Sequence, residues 1–174
     1  GFSPIEVNDQ SIILGAGRKY RWENSYLPVG MTSRDDVFVT GGYLNVVVDG
    51  KAGFPKPDRI SFLEKFDDHV VIQAEGVIGD GLRMSVTTRV EYDGIAMVEV
   101  RLIPLRAVVI SRLHFVANIR SNPWTKMLVF NAKDIDRRDN IIVRDTNYNG
   151  AFLNAISIVD GEKSFWLFQD NAEG

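Results

Sequence analysis

The chain has 174 residues, 45% hydrophobic and 25% charged, with 20 Lys and Arg against 23 Asp and Glu and a formal net charge of −3. That length supports one sizeable core, and a slightly negative chain with scattered cations argues against a nucleic-acid surface. The lack of cysteine excludes disulfides, thiolate catalysis and cysteine-ligated zinc, and no apolar run reaches the length of a membrane-spanning helix.

In chain order, Phe2–Gln10 reads as an irregular lead-in. Ser11–Leu14 and Lys19–Trp22 are short strands on either side of Gly15-Ala16-Gly17. Ser25–Thr32 reads as a further strand, which Pro28 would confine to an edge because proline cannot donate to a ladder. Val37–Thr40 and Tyr43–Asp49 flank Gly41-Gly42, a candidate tight hairpin. A loop follows from Asp49-Gly50 through Gly53, Pro55 and Pro57, and then Arg59–Phe66 and His69–Glu75 flank an Asp67-Asp68 turn.

Leu82–Pro104 is the strongest signal, a long hairpin. Met84, Val86, Thr88 and Val90 alternate with polar residues on one arm, and Ala96, Val98, Val100 and Leu102 line one face of the other. A two-residue loop at Asp93-Gly94 would set the apolar row of one arm against the opposite row of the other. A three-residue loop, Tyr92-Asp93-Gly94, instead pairs Val90 with Ala96, Thr88 with Val98, Val86 with Val100 and Met84 with Leu102. Such a loop ends on a left-handed residue, a place for Gly94.

Val108–Ile119 is long and apolar, as a central buried strand would be. Trp124–Phe130, Ile141–Arg144, Phe152–Val159 and Lys163–Phe168 complete the strands, separated by the charged loop Asp134–Asn140, the polar turn Asp145–Gly150 and Asp160-Gly161. No sustained 3.6-residue period argues for helix. The expected fold is all-β, an antiparallel β-sandwich of many short to medium strands, with residues 1–174 as a single domain. The stop directly after Lys163–Phe168 suggests the N-terminal part of a longer protein continuing beyond Gly174.

Few residue sets here carry chemistry. Asp134–Asn140 has oxygens for calcium but departs from the EF-hand loop, since Asp139 stands where glycine is needed and Asp145 where the bidentate glutamate belongs. His69 and His114 are the only histidines, and no G-x-S-x-G elbow accompanies the serines. Asp35-Asp36 and Asp67-Asp68 are neighbours that a strand would point to opposite faces. No catalytic residue, metal ligand or cofactor site is assigned. The aromatics are the candidate ligand contacts: flat rings can stack on the C–H faces of sugars, and Trp22, Tyr26, Trp124 and Trp166 are the candidate carbohydrate-binding residues, although core or interdomain packing outweighs ligand contact for such rings.

Three segments carry a family resemblance. Val90–Pro104, with its Glu91-Tyr92-Asp93-Gly94 turn and the following strand ending in Leu102-Ile103-Pro104, resembles the N-terminal β-sandwich of glycoside hydrolase family 123. Val108–Ile119 is similar to the strand that follows there, and Gly161–Gly174 is similar to that family's segment leading into the catalytic part. Ser164-Phe165-Trp166 and Asp170-Asn171 depart from its Gly-Leu and Glu-Ser elements. The first half matches loosely, through the strand before Asp49-Gly50. The resemblance implies a bacterial, secreted or periplasmic protein acting on N-acetylgalactosaminides, with its catalytic Asp-Glu pair in a C-terminal barrel that this sequence does not contain. On that basis the chain is a noncatalytic accessory domain whose partner is a catalytic domain of the same polypeptide, with a glycan as a further ligand. The alternatives are an independent carbohydrate-binding module and, behind it, a β-sandwich polysaccharide lyase or hydrolase.

Overall fold

A computed structural model describes residues 3–9, 11–14, 17–34 and 36–120 with their side chains, and beyond them the backbone of strands 126–130, 141–143, 155–160 and 163–168. The chain divides into two compact units, Gly1–Arg120 and Ser121–Gly174.

In the first unit the strands are β1 (Glu6–Asn8), β2 (Ser11–Leu14), β3 (Arg18–Arg21), β4 (Gly30–Ser33), β5 (Asp36–Val48), β6 (Lys51–Gly53), β7 (Arg59–Lys65), β8 (His69–Ile78), β9 (Leu82–Glu91), β10 (Ala96–Pro104) and β11 (Ile110–Ile119). They form two antiparallel sheets. The seven-stranded sheet runs β1-β2-β3-β4-β5-β11, with β6 also paired to β5, and the four-stranded sheet runs β10-β9-β8-β7. The second unit holds β12 (Lys126–Phe130), β13 (Ile141–Val143), β14 (Ala155–Asp160) and β15 (Lys163–Phe168), a four-stranded sheet in the order β13-β12-β14-β15. The all-β, sandwich-like architecture is the one expected, with no α-helix among the described residues.

The two sheets of the first unit meet through apolar faces. Leu44, Val46 and Val48 from the larger sheet, with Tyr26 and Leu27 of the β3–β4 connection, pack with Ala74, Leu82, Met84 and Val86 from the smaller one. A second cluster joins Ile12, Leu14, Tyr20 and Trp22 to Val70, Ile72 and Val90. Period-two alternation produces these faces: on β9, Leu82, Met84, Val86, Thr88 and Val90 are buried while the residues between them are not.

The β9–β10 register is the one the alternation demands, with Ala96 opposite Val90, Val98 opposite Thr88, Val100 opposite Val86 and Leu102 opposite Met84. Gly94 has φ +90, Glu91 N–H donates to the Ile95 carbonyl at 2.9 Å, and Gly94 N–H donates to the Glu91 carbonyl at 2.9 Å. The larger sheet grips this turn: the Tyr20 hydroxyl donates to the Gly94 carbonyl at 2.7 Å, and the Arg18 guanidinium donates to the Asp93 carbonyl.

Five local expectations are corrected. Gly41-Gly42 is no turn, since β5 runs straight through it. A Cβ on Gly42 would collide with the Pro28 carbonyl oxygen, and one on Gly41 would lie 3.0 Å from the Asn118 amide, so these glycines admit crossing chain segments rather than reverse the strand. Pro28 precedes β4, which lies between β3 and β5 and is not an edge. The lead-in contains β1, and the loop after Gly50 contains β6. β11 is not central: it borders the larger sheet, paired only to β5 among the described residues.

The two sides of the sandwich differ. On one, Ile5, Val7, Ile60 and Phe62 cover the second cluster, and Ile5 N–H donates to the Asp67 carbonyl at 3.2 Å. On the other, edge strands β10 and β11 leave residues of the core face half open. Val98, opposite buried Thr88, is 47% exposed, and Leu113 and Phe115, opposite buried Val46 and Leu44, are each 40% exposed.

Candidate functional site

The aromatics placed as sugar contacts divide into two groups. Trp22 and Tyr26 are each only 1% exposed, so their rings are core material and present no face for stacking. Tyr26 reaches across to the smaller sheet, where a Cβ on Gly76 would lie 2.6 Å from its hydroxyl. Burial, followed by the nearby Asp58 and Glu75 carboxylates, pushes the Tyr26 phenol up to about 12, which keeps it neutral. Trp124 lies outside the described residues, as do the Asp134–Asn140 loop and the side chain of Trp166 on β15.

The feature that combines apolar walls with convergent charge lies at one end of the sandwich. A recess of about 270 Å³ is lined by Val46, Val48 and Ile78, bordered by Phe54 and Pro55, and edged by Asp49, Asp80 and Arg106. Three separate connections build it. The β5–β6 turn places Asp49 and Gly50 at φ 47 and 75, the paired left-handed residues of a tight hairpin. The β8–β9 turn supplies Asp80. The crossing from β10 to β11 supplies Arg106, and Gly81 lets it lie close, since a Cβ there would sit 2.9 Å from the guanidinium carbon.

Arg106 binds both carboxylates, with Nη2 at 2.9 Å from Asp49 Oδ2 and 2.7 Å from Asp80 Oδ1, while Nη1 donates to the Ala107 carbonyl at 2.9 Å. Asp49 is fixed further. Its Oδ1 accepts from Val109 N–H at 2.9 Å, and its own N–H donates to the Val109 carbonyl at 2.9 Å. The Val109 hydrogen bond and then Arg106 hold the Asp49 carboxyl below the usual range, and Arg106 does the same for Asp80. Both are therefore anions near neutrality, suited to accepting hydrogen bonds rather than to donating a proton. Phe54 is 60% exposed at the rim, its ring edge-on to Tyr43 with centroids 4.8 Å apart.

A second cluster stands at the other end of β8. His69 Nδ1 is 2.8 Å from Asp68 Oδ1 and Nε2 is 3.0 Å from Glu64 Oε2. The Phe66 ring lies 4.9 Å from the imidazole, tilted by 32°. A carboxylate on each nitrogen favours the protonated ring, its pKa raised first by Glu64 and then by Asp68. It is an ion-pair anchor rather than a base with a free lone pair. His114 stands apart from this cluster, on β11. Among the described residues no three His, Asp or Glu side chains gather as a metal site, and no helix is long and apolar enough to cross a membrane.

No single stretch of the sequence marks the recess. Asp49-Gly50 is legible as the start of a loop, but nothing local links it or Asp80 to Arg106. No family model, curated protein or solved structure matches the chain.

Proposed function

We propose that this chain is a noncatalytic accessory β-sandwich of a carbohydrate-active protein, and that it contacts glycan at the Asp49–Asp80–Arg106 recess. The observation that carries the reading is the pairing, in one recess, of an apolar wall and exposed Phe54 with two fixed carboxylates and a guanidinium. A sugar ring has the matching surface: C–H patches that pack on apolar groups and hydroxyls that donate to carboxylate oxygens. The likeness of the Glu91–Gly94 hairpin to glycoside hydrolase family 123 supports the wider setting, in which a catalytic barrel in the same polypeptide is the partner, N-acetylgalactosaminides are its substrates and the location is secreted or periplasmic.

The test is a sugar titration of the isotope-labelled chain, including N-acetylgalactosamine oligosaccharides, followed by amide chemical shifts. Saturable shifts confined to residues 49–55, 78–81 and 106 are expected. Phe54→Ala should weaken binding by roughly tenfold, the order of an aromatic contact of about 1.5 kcal/mol. A folded chain whose amides do not respond to any sugar overturns the reading.

A further inference from the structure

The exposed edges of the sandwich are protected unequally. Strand edges invite pairing with another chain, and bulges, short length, lysine and proline are the usual defences. β1 has three residues. β7 is bulged between Phe62 and Glu64. β11 shifts register twice, at Ile110/Arg112 and Asn118/Ile119. β10 has none of these defences along its length. Its nine residues pair with β9 without a break, it carries no lysine, and its proline is the last residue, Pro104. Among the described residues nothing pairs with its other side.

The free side has a definite pattern. The Glu91–Ile95 hydrogen bond fixes which pairs of the hairpin exchange hydrogen bonds. Counting by twos along the ladder, Met97, Glu99, Arg101 and Ile103 bond to β9, so Val98, Val100 and Leu102 aim their backbone groups outward.

We propose that β10 pairs antiparallel with β10 of a second copy of this chain, about a two-fold axis at Val100. In that register Val100 bonds the partner's Val100, and Val98 bonds the partner's Leu102, using the outward groups. On the outer face Glu99 lies opposite the partner's Arg101, and Met97 opposite the partner's Ile103. Glu99 and Arg101 pair with each other at 2.9 Å within the strand but are 65% and 68% exposed, and Met97 and Ile103 are 51% and 40% exposed, so each can be reached by a partner. Neighbouring registers fail on side chains: an axis at Glu99 or Arg101 sets that residue against its own like charge on the partner, and an axis at Val98 sets Met97 against the partner's Glu99. The added strand also carries Val98, Val100 and Leu102 of the partner along the open side, over Leu113 and Phe115. The two smaller sheets become one continuous sheet, and an isologous interface closes without exposing a further edge of this kind.

The experiment is sedimentation velocity with light scattering on the full chain over a wide concentration range, with circular dichroism to confirm folding. The expected result is a monomer–dimer equilibrium. Glu99→Arg and Arg101→Glu, each placing like charges opposite one another twice across the axis, should each weaken the dimer about tenfold, and the double reversal should restore it to within about threefold of the parent. A folded chain that stays monomeric overturns the proposal and leaves the edge to a strand of another protein. A dimer indifferent to either single reversal, or one that the double reversal does not restore, also overturns it by placing the contact elsewhere. Sugar binding at the recess is independent of either outcome.

Discussion

His69 shows how two carboxylates set one residue's response to pH. The ring bonds Glu64 and Asp68, its pKa is raised, and that of Asp68 is lowered chiefly by its bond to His69. Arg89, nearby, opposes the rise and is itself engaged by Glu91 at 2.6 Å. For the imidazole, a folded-state pKa above the unfolded value of about 6.5 means that its stabilisation is complete below that value and fades as pH rises through the folded pKa. For Asp68 the sign reverses: its contribution is present above the unfolded carboxylate value of about 3.9 and is lost as pH falls through the lower folded pKa. The two overlap in mildly acidic solution. The His69 ring resonances should therefore titrate above pH 6.5, and the thermal midpoint should decline between pH 6 and 8 more steeply in the parent than in His69→Gln. A ring titrating at or below the free value would show that the carboxylates do not hold it.

At the scale of the element, the β9–β10 hairpin rests on one glycine. At φ +90 a β-branched residue is strained by about 1–3 kcal/mol, and a Cβ there would also meet the Arg18 guanidinium that holds the turn. Gly94→Val should lower the thermal midpoint by several degrees, read by calorimetry; unchanged unfolding would mean that the turn is not held in this conformation. The register of this hairpin was legible because every residue needed to decide it lies within one short stretch, and a slip would turn Val86 and Val100 away from each other's face. Gly41-Gly42 is the opposite case. A glycine that reverses a chain and a glycine that admits a crossing carbonyl look identical in sequence, and only the position of Pro28 distinguishes them. The apolar content of β11 matches that of a central strand, whereas its exposure depends on how many neighbours it has. Core packing was the weightier reading for the aromatics of the sequence, and Tyr20, Trp22 and Tyr26 are buried in the core, whereas the recess depends on three connections that meet only after both sheets have formed.

For the whole molecule, stability depends on the two faces meeting. Ile72 lies in the cluster that joins Ile12, Leu14, Tyr20 and Trp22 to the smaller sheet and is 1% exposed. Ile72→Ala should cost about 2–5 kcal/mol, read as a lower urea midpoint, because close-packed surroundings collapse only partly onto the space left. A loss well under 1 kcal/mol would mean that the sheets do not rely on this contact. The sheets also differ in how they are connected. β7, β8, β9 and β10 follow one another as hairpins, so the smaller sheet forms from contacts near in sequence. The larger sheet is completed only when β11 reaches β5, where Ile119 lies opposite Val39 and Ile110 opposite Val48. Such distant pairing is slow because a long loop must close first. On the ribosome, β5 therefore waits with one side of its ladder unpaired while all of β6 to β10 is made. The strand that borders the open side of the finished sandwich is also the last of this unit to be synthesised, and the interval before it arrives is when the growing chain most needs protection from its neighbours.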